Sequence, residues 1–221
     1  MRIRFNSYGA IAGAGKTLAL SFALSGAAFA EQVDVVALGD SLTHGYGLVE
    51  QEGFVPQLRT WLAGQGAVVR VINAGVSGDT TAGGLARVAW TLTPEVDAMI
   101  VELGGNDVLR GIAPEAARAN IEGILRVADE ANVEVLLIGM QAPGNDGPDY
   151  KAAFDAIYPE LATQYGALYV ESFFEGLPGD DPASVREFMQ PDGIHPNARG
   201  VELIVAALGP HVLKLIERVG E

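Results

Sequence analysis

The sequence predicts an α/β fold, in which a doubly wound parallel sheet forms the middle layer of a three-layer α/β/α sandwich. Short apolar segments rich in β-branched residues alternate along the chain with longer segments of helical spacing. The apolar segments are nearly continuous, as in strands that are buried on both faces of a parallel sheet. Five strands are predicted in this way, at 33–39, 68–75, 97–105, 133–140 and 167–173.

Helices are predicted between and after these strands, at 54–66, 79–92, 114–131, 150–166, 183–189 and 197–218. Asp79 is the expected N-cap of the second helix, because its carboxylate can accept hydrogen bonds from the N–H groups of a first helical turn. Pro159 and the Gly209-Pro210 pair are expected to interrupt the helices in which they lie. No repeat or low-complexity segment divides the sequence, so residues 31–221 are expected to form one domain.

The first 30 residues have the pattern of an export signal. Three basic residues precede an apolar run of small residues at 18–30, which ends in an Ala-Phe-Ala cleavage motif. This pattern predicts a mature chain that begins at Glu31 and is exported by a bacterium, to the periplasm or to the medium. The alternative is that the run is the first hydrophobic helix of the domain. A P-loop-like stretch at 10–17 follows no predicted strand, so it does not indicate a nucleotide cofactor.

Acidic residues outnumber basic ones, 28 against 14, which gives a net charge of −14. Removal of the signal, which contains three basic residues and no acidic one, would change the net charge to −17. Such a chain repels nucleic-acid phosphates and anionic membrane surfaces at long range, so neither is an expected partner. No later apolar run has the length of a membrane span. The absence of cysteine excludes disulfides, a thiol nucleophile, a cysteine metal site and a lipoprotein anchor.

Four polar, glycine-rich turns are predicted to meet at one edge of the sheet. Three of them follow the first three strands, at 39–41, 73–80 and 104–107, and the fourth, at 192–196, precedes the final helix. Each turn alone is typical of an ordinary loop, because Gly, Asn and Asp are common turn and cap residues. Ligands of open α/β sheets bind beyond the carboxyl ends of the strands, so the four turns together indicate a functional site.

The residue types in these turns favour nucleophilic catalysis by a serine. Ser41 follows a buried strand and is the candidate nucleophile, which requires a base to take its proton. The tetrahedral intermediate of such a reaction requires hydrogen-bond donors at its oxyanion. The candidate donors are the N–H groups of Ser41 and Gly78 and the side-chain amide of Asn106.

The candidates for the base are three histidines: His44, His195 and His211. If a helix begins at Ser41, His44 lies on the same face, but Asp40 is adjacent to Ser41 and cannot easily orient that imidazole. His195 has Asp192 three residues before it, and the glycine between them permits a tight turn that brings carboxylate and imidazole together. His195 is therefore the favoured base, and the third histidine is interpreted as a surface residue.

Four stretches of the sequence resemble, in the same order, the four blocks of the SGNH/GDSL hydrolases. They are GDSLTHGYG (39–47), NAGVSGDTTAGGLAR (73–87), VELGGNDVLRG (101–111) and DGIHPN (192–197). The resemblance covers essentially all of the chain after residue 30 and is strongest to the bacterial periplasmic multifunctional esterases of the acyl-CoA thioesterase I, lysophospholipase L1 and arylesterase type. It implies a flavodoxin-like fold with five parallel strands, and a site that needs no metal and no cofactor.

The resemblance implies a role for each matched residue. Ser41 would be the nucleophile and the first oxyanion donor, with Gly78 and Asn106 as the other two donors. Asp192 and His195 would complete the catalytic triad.

Substrate contacts are expected from five residues in or beside these turns and loops: His44, Gly105, Asp107, Pro143 and Ile194. His44 departs from the family, whose members usually have a small residue such as Ala at this position, and it would narrow the pocket or add a polar contact. The loops 141–150 and 174–190 are expected to form the walls of the substrate groove. Their apolar side chains suit an acyl chain or an aromatic group: Pro143, Phe173, Phe174, Leu177 and Met189.

The hypothesis from sequence is a serine ester hydrolase that acts on small-molecule acyl or aryl esters and thioesters through an acyl-enzyme on Ser41. A monomer is expected. One alternative is a carbohydrate O-acetylesterase, which would have a polar cleft with no room for long chains. Another is a catalytically silent exported binding module, although the complete Ser-Gly-Asn-His set argues against it.

Overall fold

A five-stranded, wholly parallel sheet forms the centre of the computed structural model, which describes residues 32–178 and 182–219. Its strands in chain order are β1 (Val33–Gly39), β2 (Val69–Gly75), β3 (Ala98–Glu102), β4 (Glu134–Ile138) and β5 (Leu168–Val170). They lie side by side in the order β2-β1-β3-β4-β5. The predicted doubly wound parallel sheet is thereby confirmed. The predicted export signal and the P-loop-like stretch of the first 30 residues lie outside the described residues.

Helices cover both faces of the sheet, as the three-layer prediction requires. They are α1 (Ser41–His44), α2 (Phe54–Gly64), α3 (Thr81–Thr91), α4 (Gly105–Leu109), α5 (Pro114–Glu130), α6 (Pro148–Asp155), α7 (Ile157–Tyr165), α8 (Pro182–Arg186) and α9 (Ala198–Val219). Helices α2 and α9 pack on one face, around Phe54 and Phe173, while α3, α5, α6 and α7 pack on the other, around Phe154 and Tyr158. Within residues 32–178 and 182–219, each helix is too short or too polar to span a bilayer.

The strand register brings three of the polar turns to the same edge of the sheet. Gly39 at the end of β1 pairs with Gly75 at the end of β2 on one side and with Glu102 at the end of β3 on the other. The chain leaves β1 toward β2 and later returns to add β3 on the opposite side, so the strand order reverses at β1. The crevice at such a reversal is where ligands of doubly wound sheets bind.

The beginning of α3 differs from the prediction that Asp79 is its N-cap. The N-cap is Thr80, whose side chain accepts a hydrogen bond from the N–H of Gly83. The Asp79 carboxylate instead accepts from Nε of Arg87 at 2.6 Å. A full guanidinium charge is a stronger partner for a carboxylate than a neutral backbone N–H. Asp79 therefore pairs with Arg87 and does not cap the helix.

Neither predicted proline break is found. The chain divides between α6 and α7 at Ala156, whereas Pro159 lies in the first turn of α7, where a missing N–H costs nothing. Helix α9 continues through Pro210. There the preceding Gly209 packs so closely on α2 that a Cβ would lie 2.6 Å from the ring of Trp61. Tertiary packing of this apolar face on α2 outweighs the one hydrogen bond that the proline removes.

Candidate active site

The nucleophile candidate lies at the first residue of a short helix that directly follows strand β1, which lies between β2 and β3 in the sheet. Asp40 is the N-cap of α1, and its Oδ1 accepts a hydrogen bond from the N–H of Leu42 at 3.0 Å. This cap fixes the turn from strand to helix. The half-buried side chain of Ser41 then faces the crevice beyond the carboxyl ends of the strands.

Ser41, His195 and Asp192 form a continuous hydrogen-bonded chain. The Oγ of Ser41 lies 2.8 Å from Nε2 of His195, although the two residues are 154 positions apart. Nδ1 of His195 lies 2.7 Å from Oδ2 of Asp192. Because the carboxylate accepts a hydrogen bond from the N–H at Nδ1, Nε2 carries no proton and accepts from the serine hydroxyl, which is the tautomer that a general base requires.

The turn between Asp192 and His195 fixes the carboxylate on the imidazole. Oδ1 of Asp192 accepts from the N–H of Ile194 at 2.9 Å and from that of His195 at 3.1 Å, and Gly193 supplies the positive φ of 70° that the turn requires. The hydrogen bond to the His195 side chain, with help from these two backbone N–H groups, lowers the pKa of Asp192 to about 2. The carboxylate is therefore ionised at neutral pH and faces the imidazole with a negative charge.

Two residues that the sequence interpretation did not single out hold the histidine loop against the nucleophile loop. The ring of Tyr46 lies 4.7 Å from that of His195, centroid to centroid, at an angle of 40°. Nε2 of Gln190 donates to the carbonyl of Tyr46 at 2.8 Å and to that of Pro196 at 3.0 Å. The hydrogen bond between Gln190 and Tyr46 could not be predicted from the neighbouring sequence of either residue, because the two are 144 positions apart.

Three hydrogen-bond donors border the same crevice as Ser41. The N–H groups of Ser41 and Gly78 donate to no residue that the structure describes. Gly78 has a φ of 85°, which favours glycine, and its carbonyl accepts from Nη2 of Arg110 at 2.7 Å. Nδ2 of Asn106 donates one hydrogen to Oδ2 of Asp40 at 3.0 Å and keeps a second for a ligand. Donors that are fixed before the reaction can stabilise a developing oxyanion.

Arg87 of α3 ties together the strand ends beneath these donors. Its guanidinium donates to the carbonyl of Gly39 at 2.9 Å, to that of Ala74 at 2.6 Å and to the carboxylate of Asp79 at 2.6 Å. The same side chain thus contacts Gly39, two residues before Ser41, and Asp79, directly after Gly78. No pattern in the sequence indicates this role, since an arginine in mid-helix is usually a solvated surface residue.

A cavity of about 670 Å³ opens in front of Ser41. Its polar edge is formed by Ser41, Gly78, Asn106 and His195, whereas its other walls are mostly apolar. The apolar lining consists of Leu42, Tyr46, Val108, Leu109, Met140, Pro143, Phe174, Leu177, Val185, Met189 and Ile194. A volume and composition of this kind are typical of a small-molecule site with a few convergent polar groups.

Residues 37–203 match the sequence model of the GDSL-like Lipase/Acylhydrolase family. The chain belongs to this family. Esterase TesA of Pseudomonas aeruginosa is 43% identical over 163 residues, which are 73% of this chain and 79% of that protein. Thioesterase 1/protease 1/lysophospholipase L1 of Escherichia coli is 37% identical over 165 residues, 74% of this chain and 75% of that protein. The crystal structure of AlinE4, an SGNH-hydrolase family esterase, matches with a TM-score of 0.68 at 43% identity and covers 84% of this chain and 97% of its own.

The protein is thus an ester hydrolase of the GDSL family, and the resemblance found in its sequence is confirmed. Of the residues expected to contact substrate in this GDSL hydrolase, Gly105, Pro143 and Ile194 lie in the cavity wall. The predicted wall residues Phe174, Leu177 and Met189 lie there as well. Phe173 does not, since it is fully buried in the core with its ring 5.1 Å from that of Phe54.

Two residues of this GDSL hydrolase have different places from those expected. His44 is exposed at the end of α1, outside the cavity lining, where its Nδ1 lies 3.1 Å from Oγ of Ser77. Asp107 is fully buried, and its carboxylate accepts from the N–H and the hydroxyl of Thr81 at 2.8 and 2.5 Å. Neither side chain lines the cavity in front of Ser41, although Ser77, the partner of His44, does. Asp107 instead binds the first turn of α3 to α4, because a buried carboxylate requires such donors.

The third histidine does not line the cavity in front of Ser41. His211 lies in α9, with Nε2 3.6 Å from Oε1 of Glu175, as a partly exposed ion-pair partner. Across residues 32–178 and 182–219, no group of three or more His, Asp or Glu side chains is placed to hold a metal ion.

Proposed function

We propose that the protein hydrolyses carboxylic esters and thioesters with acyl or aryl groups, through an acyl-enzyme on Ser41. The observation that carries this proposal is the 2.8 Å contact between Oγ of Ser41 and Nε2 of His195 at the wall of an apolar cavity. The names of the relatives support both kinds of substrate, since one is an esterase and another a thioesterase and lysophospholipase.

The first half of the reaction forms the acyl-enzyme. His195 takes the proton of the Ser41 hydroxyl as the oxygen attacks the carbonyl carbon, and the ionised Asp192 stabilises the resulting imidazolium. The oxyanion accepts hydrogen bonds from the N–H groups of Ser41 and Gly78 and from the amide of Asn106. The intermediate then collapses, and His195 returns the proton to the leaving alkoxide or thiolate.

The second half removes the acyl group from the serine. A water molecule enters beside His195, which takes its proton while the oxygen attacks the ester carbonyl of the acyl-enzyme. The same three donors hold the second oxyanion. Collapse releases the carboxylic acid and restores the hydroxyl of Ser41, with the proton supplied by His195.

The apolar walls of the cavity predict a preference for acyl chains longer than acetyl. In a series of p-nitrophenyl esters of increasing chain length, we expect kcat/KM to rise by about fourfold for each CH₂ that the cavity buries, which corresponds to about 0.8 kcal/mol. Leu177→Ala, which shortens one wall residue, should reduce this gain for long esters and leave hydrolysis of acetate esters unchanged.

The series should include an acyl-CoA, a lysophospholipid and an acetylated sugar. Turnover of the acyl-CoA and of the longer esters is the expected result. A protein that hydrolyses the acetylated sugar best and gains nothing from chain length would be a carbohydrate O-acetylesterase. A protein that turns over none of them would be a binding module, and the proposal would be wrong.

We also propose that the protein is exported as a mature chain of residues 31–221 and acts as a monomer. The basic start, the apolar run and the Ala-Phe-Ala motif of the first 30 residues support export. After expression of the full chain in a bacterium, N-terminal sequencing of the protein outside the cytoplasm should begin at Glu31. Retention of residues 1–30 on the active protein would contradict this proposal.

A further inference from the structure

Two buried carboxyl groups lie against each other beneath the nucleophile turn. Glu102, the last residue of β3, is 1% exposed, and Asp40, which precedes Ser41, is 2% exposed. The register of β1 and β3 pairs Gly39, the residue before Asp40, with Glu102, and the two carboxyl groups interact directly. Within the described chain, neither carboxyl is hydrogen-bonded to a Lys or Arg side chain. The reaction steps above assign nothing to Glu102.

The hydrogen bonds around the pair differ between its two members. Asp40 accepts from the N–H of Leu42 at 3.0 Å and from the amide of Asn106 at 3.0 Å. Oε2 of Glu102 accepts from the hydroxyl of Thr43 at 2.8 Å, the backbone N–H groups of Asp40 and Thr43 also favour its charge, and Oε1 is buried without a hydrogen-bond partner among the described residues. Both oxygens of Asp40 are therefore hydrogen-bonded, whereas one oxygen of Glu102 is not, which favours the negative charge on Asp40.

Two desolvated carboxylates in contact cannot both be ionised at neutral pH, because burial and mutual repulsion both oppose the second charge. Burial raises the pKa of Glu102 well above its usual range, and the charge of Asp40 raises it further, although hydrogen bonds from Thr43 and from the backbone of Asp40 oppose this rise. Burial also raises the pKa of Asp40, but the hydrogen bonds from Leu42 and Asn106 oppose this rise. The shared proton accordingly belongs on Glu102, and Oε1, which lacks any donor, is the oxygen that can carry it.

We propose that Glu102 is a positioning residue that stays protonated and donates its O–H to Asp40, so that Asp40 holds the Asn106 amide toward the oxyanion. The proposal rests on the oxyanion role given to Asn106 under the proposed function. One hydrogen of Nδ2 of Asn106 is bound to Asp40, and the planar amide then directs the other into the cavity. Ionisation of Glu102 would place two negative charges in contact and displace the carboxylate that holds the amide.

Other ionisable groups face the pair from neighbouring elements. The hydroxyl of Tyr158 in α7 donates to the carbonyl of Leu103 at 2.8 Å, and burial raises its pKa well above the usual range, so it stays neutral. Asp107 in α4 is close enough to Tyr158 for its charge to raise the pKa of that hydroxyl, and its carboxylate accepts a hydrogen bond from Thr81. His195 faces Asp40 from the cavity and favours its charge. Glu102 is therefore the member of this group whose ionisation changes the contact with Asp40 as the pH rises.

The protonation of Glu102 can be tested without any activity measurement. In an infrared difference spectrum between wild type and Glu102→Gln at pH 8, we expect the carbonyl stretching band of a protonated carboxylic acid in the wild type, with the shift that deuterium exchange produces. Exposed carboxyls are ionised at this pH and do not contribute. Absence of the band would overturn the proposal, and this result does not depend on whether Ser41 is the nucleophile.

The positioning role can be tested by the pH profile of kcat. Glu102 loses its proton as pH rises through its raised pKa, so wild-type kcat should fall on the alkaline side. Glu102→Gln still donates to Asp40 but cannot ionise, so its kcat at neutral pH should be close to that of wild type and the alkaline loss should be absent. Glu102→Leu, which cannot donate, should lower kcat by about tenfold or more with KM unchanged.

The control is Glu115→Gln, which changes an exposed carboxyl in the first turn of α5 and should reproduce the wild-type profile. An alkaline loss that is the same in wild type and Glu102→Gln would overturn the positioning role, as would a wild-type kcat in Glu102→Leu. If the leucine variant does not fold, the comparison of wild type with Glu102→Gln still decides. Failure of the proposed function would appear differently, as full activity of Ser41→Ala.

Discussion

Replacement of Ser41 with Ala is expected to lower kcat for ester hydrolysis by about 10⁵-fold or more, since no acyl-enzyme can form without the hydroxyl. The Oγ of Ser41 is half-buried and bonds to His195, so its removal creates no cavity in the core and should leave the fold intact. Steady-state kinetics on a p-nitrophenyl ester, with circular dichroism to check the fold, measures both effects.

The matched control for this variant is Ser172→Ala. The Ser172 hydroxyl lies in the turn after β5, outside the cavity lining, where it accepts a hydrogen bond from the N–H of Phe174 at 3.1 Å. We expect this variant to retain the kcat of wild type. If Ser41→Ala retained a kcat comparable with that of the control, Ser41 would not be the nucleophile.

The second large effect is expected from a comparison of His195→Ala with His44→Ala. Loss of His195 should lower kcat by about 10⁵-fold, because the base and its hydrogen bond to Ser41 are both removed. Loss of His44 should leave kcat close to that of wild type, since its exposed imidazole does not line the cavity and contacts neither Ser41 nor His195, only the hydroxyl of the lining residue Ser77. Kinetics of both variants at neutral pH distinguish the two histidines.

The opposite pattern, an inactive His44→Ala with an active His195→Ala, would show that the base has been assigned to the wrong histidine. Chemical rescue gives an independent check on the positive result. Free imidazole added to His195→Ala should restore part of the activity, because the cavity left beside Ser41 and Tyr46 opens to solvent. No such rescue is expected for a variant that is merely unfolded.

The fold could be predicted because its strands are encoded locally. The segment 33–39 is apolar almost throughout, and the structure gives β1 these same limits. The failures occur where a side-chain contact or tertiary packing decides the local structure. Asp79 was predicted to be a cap, but Arg87 binds it eight residues later, and Pro210 was predicted to break a helix that packs on Trp61. Such contacts leave no pattern in the neighbouring sequence.

The candidate site likewise contains some residues that could be predicted from the sequence and others that could not. Asp192 and His195 could be paired from sequence because three residues with a glycine between them form a compact turn, and the structure brings them to Ser41. Glu102 and Arg87 could not be found in this way. Each acts on the nucleophile turn from a neighbouring element of the fold, and their residue types at those positions are equally compatible with an ordinary strand end or a solvated helix face.

The most direct test of the central claim is covalent labelling with an active-site phosphonate ester, which the hydroxyl of an activated serine attacks to form a stable tetrahedral adduct. Mass spectrometry of the digested protein should find one phosphonyl group per chain, on Ser41, with activity lost in proportion to labelling. Labelling should be absent in both Ser41→Ala and His195→Ala. An adduct on another residue, or full activity in a fully labelled protein, would contradict the assignment of Ser41 as the nucleophile that His195 activates.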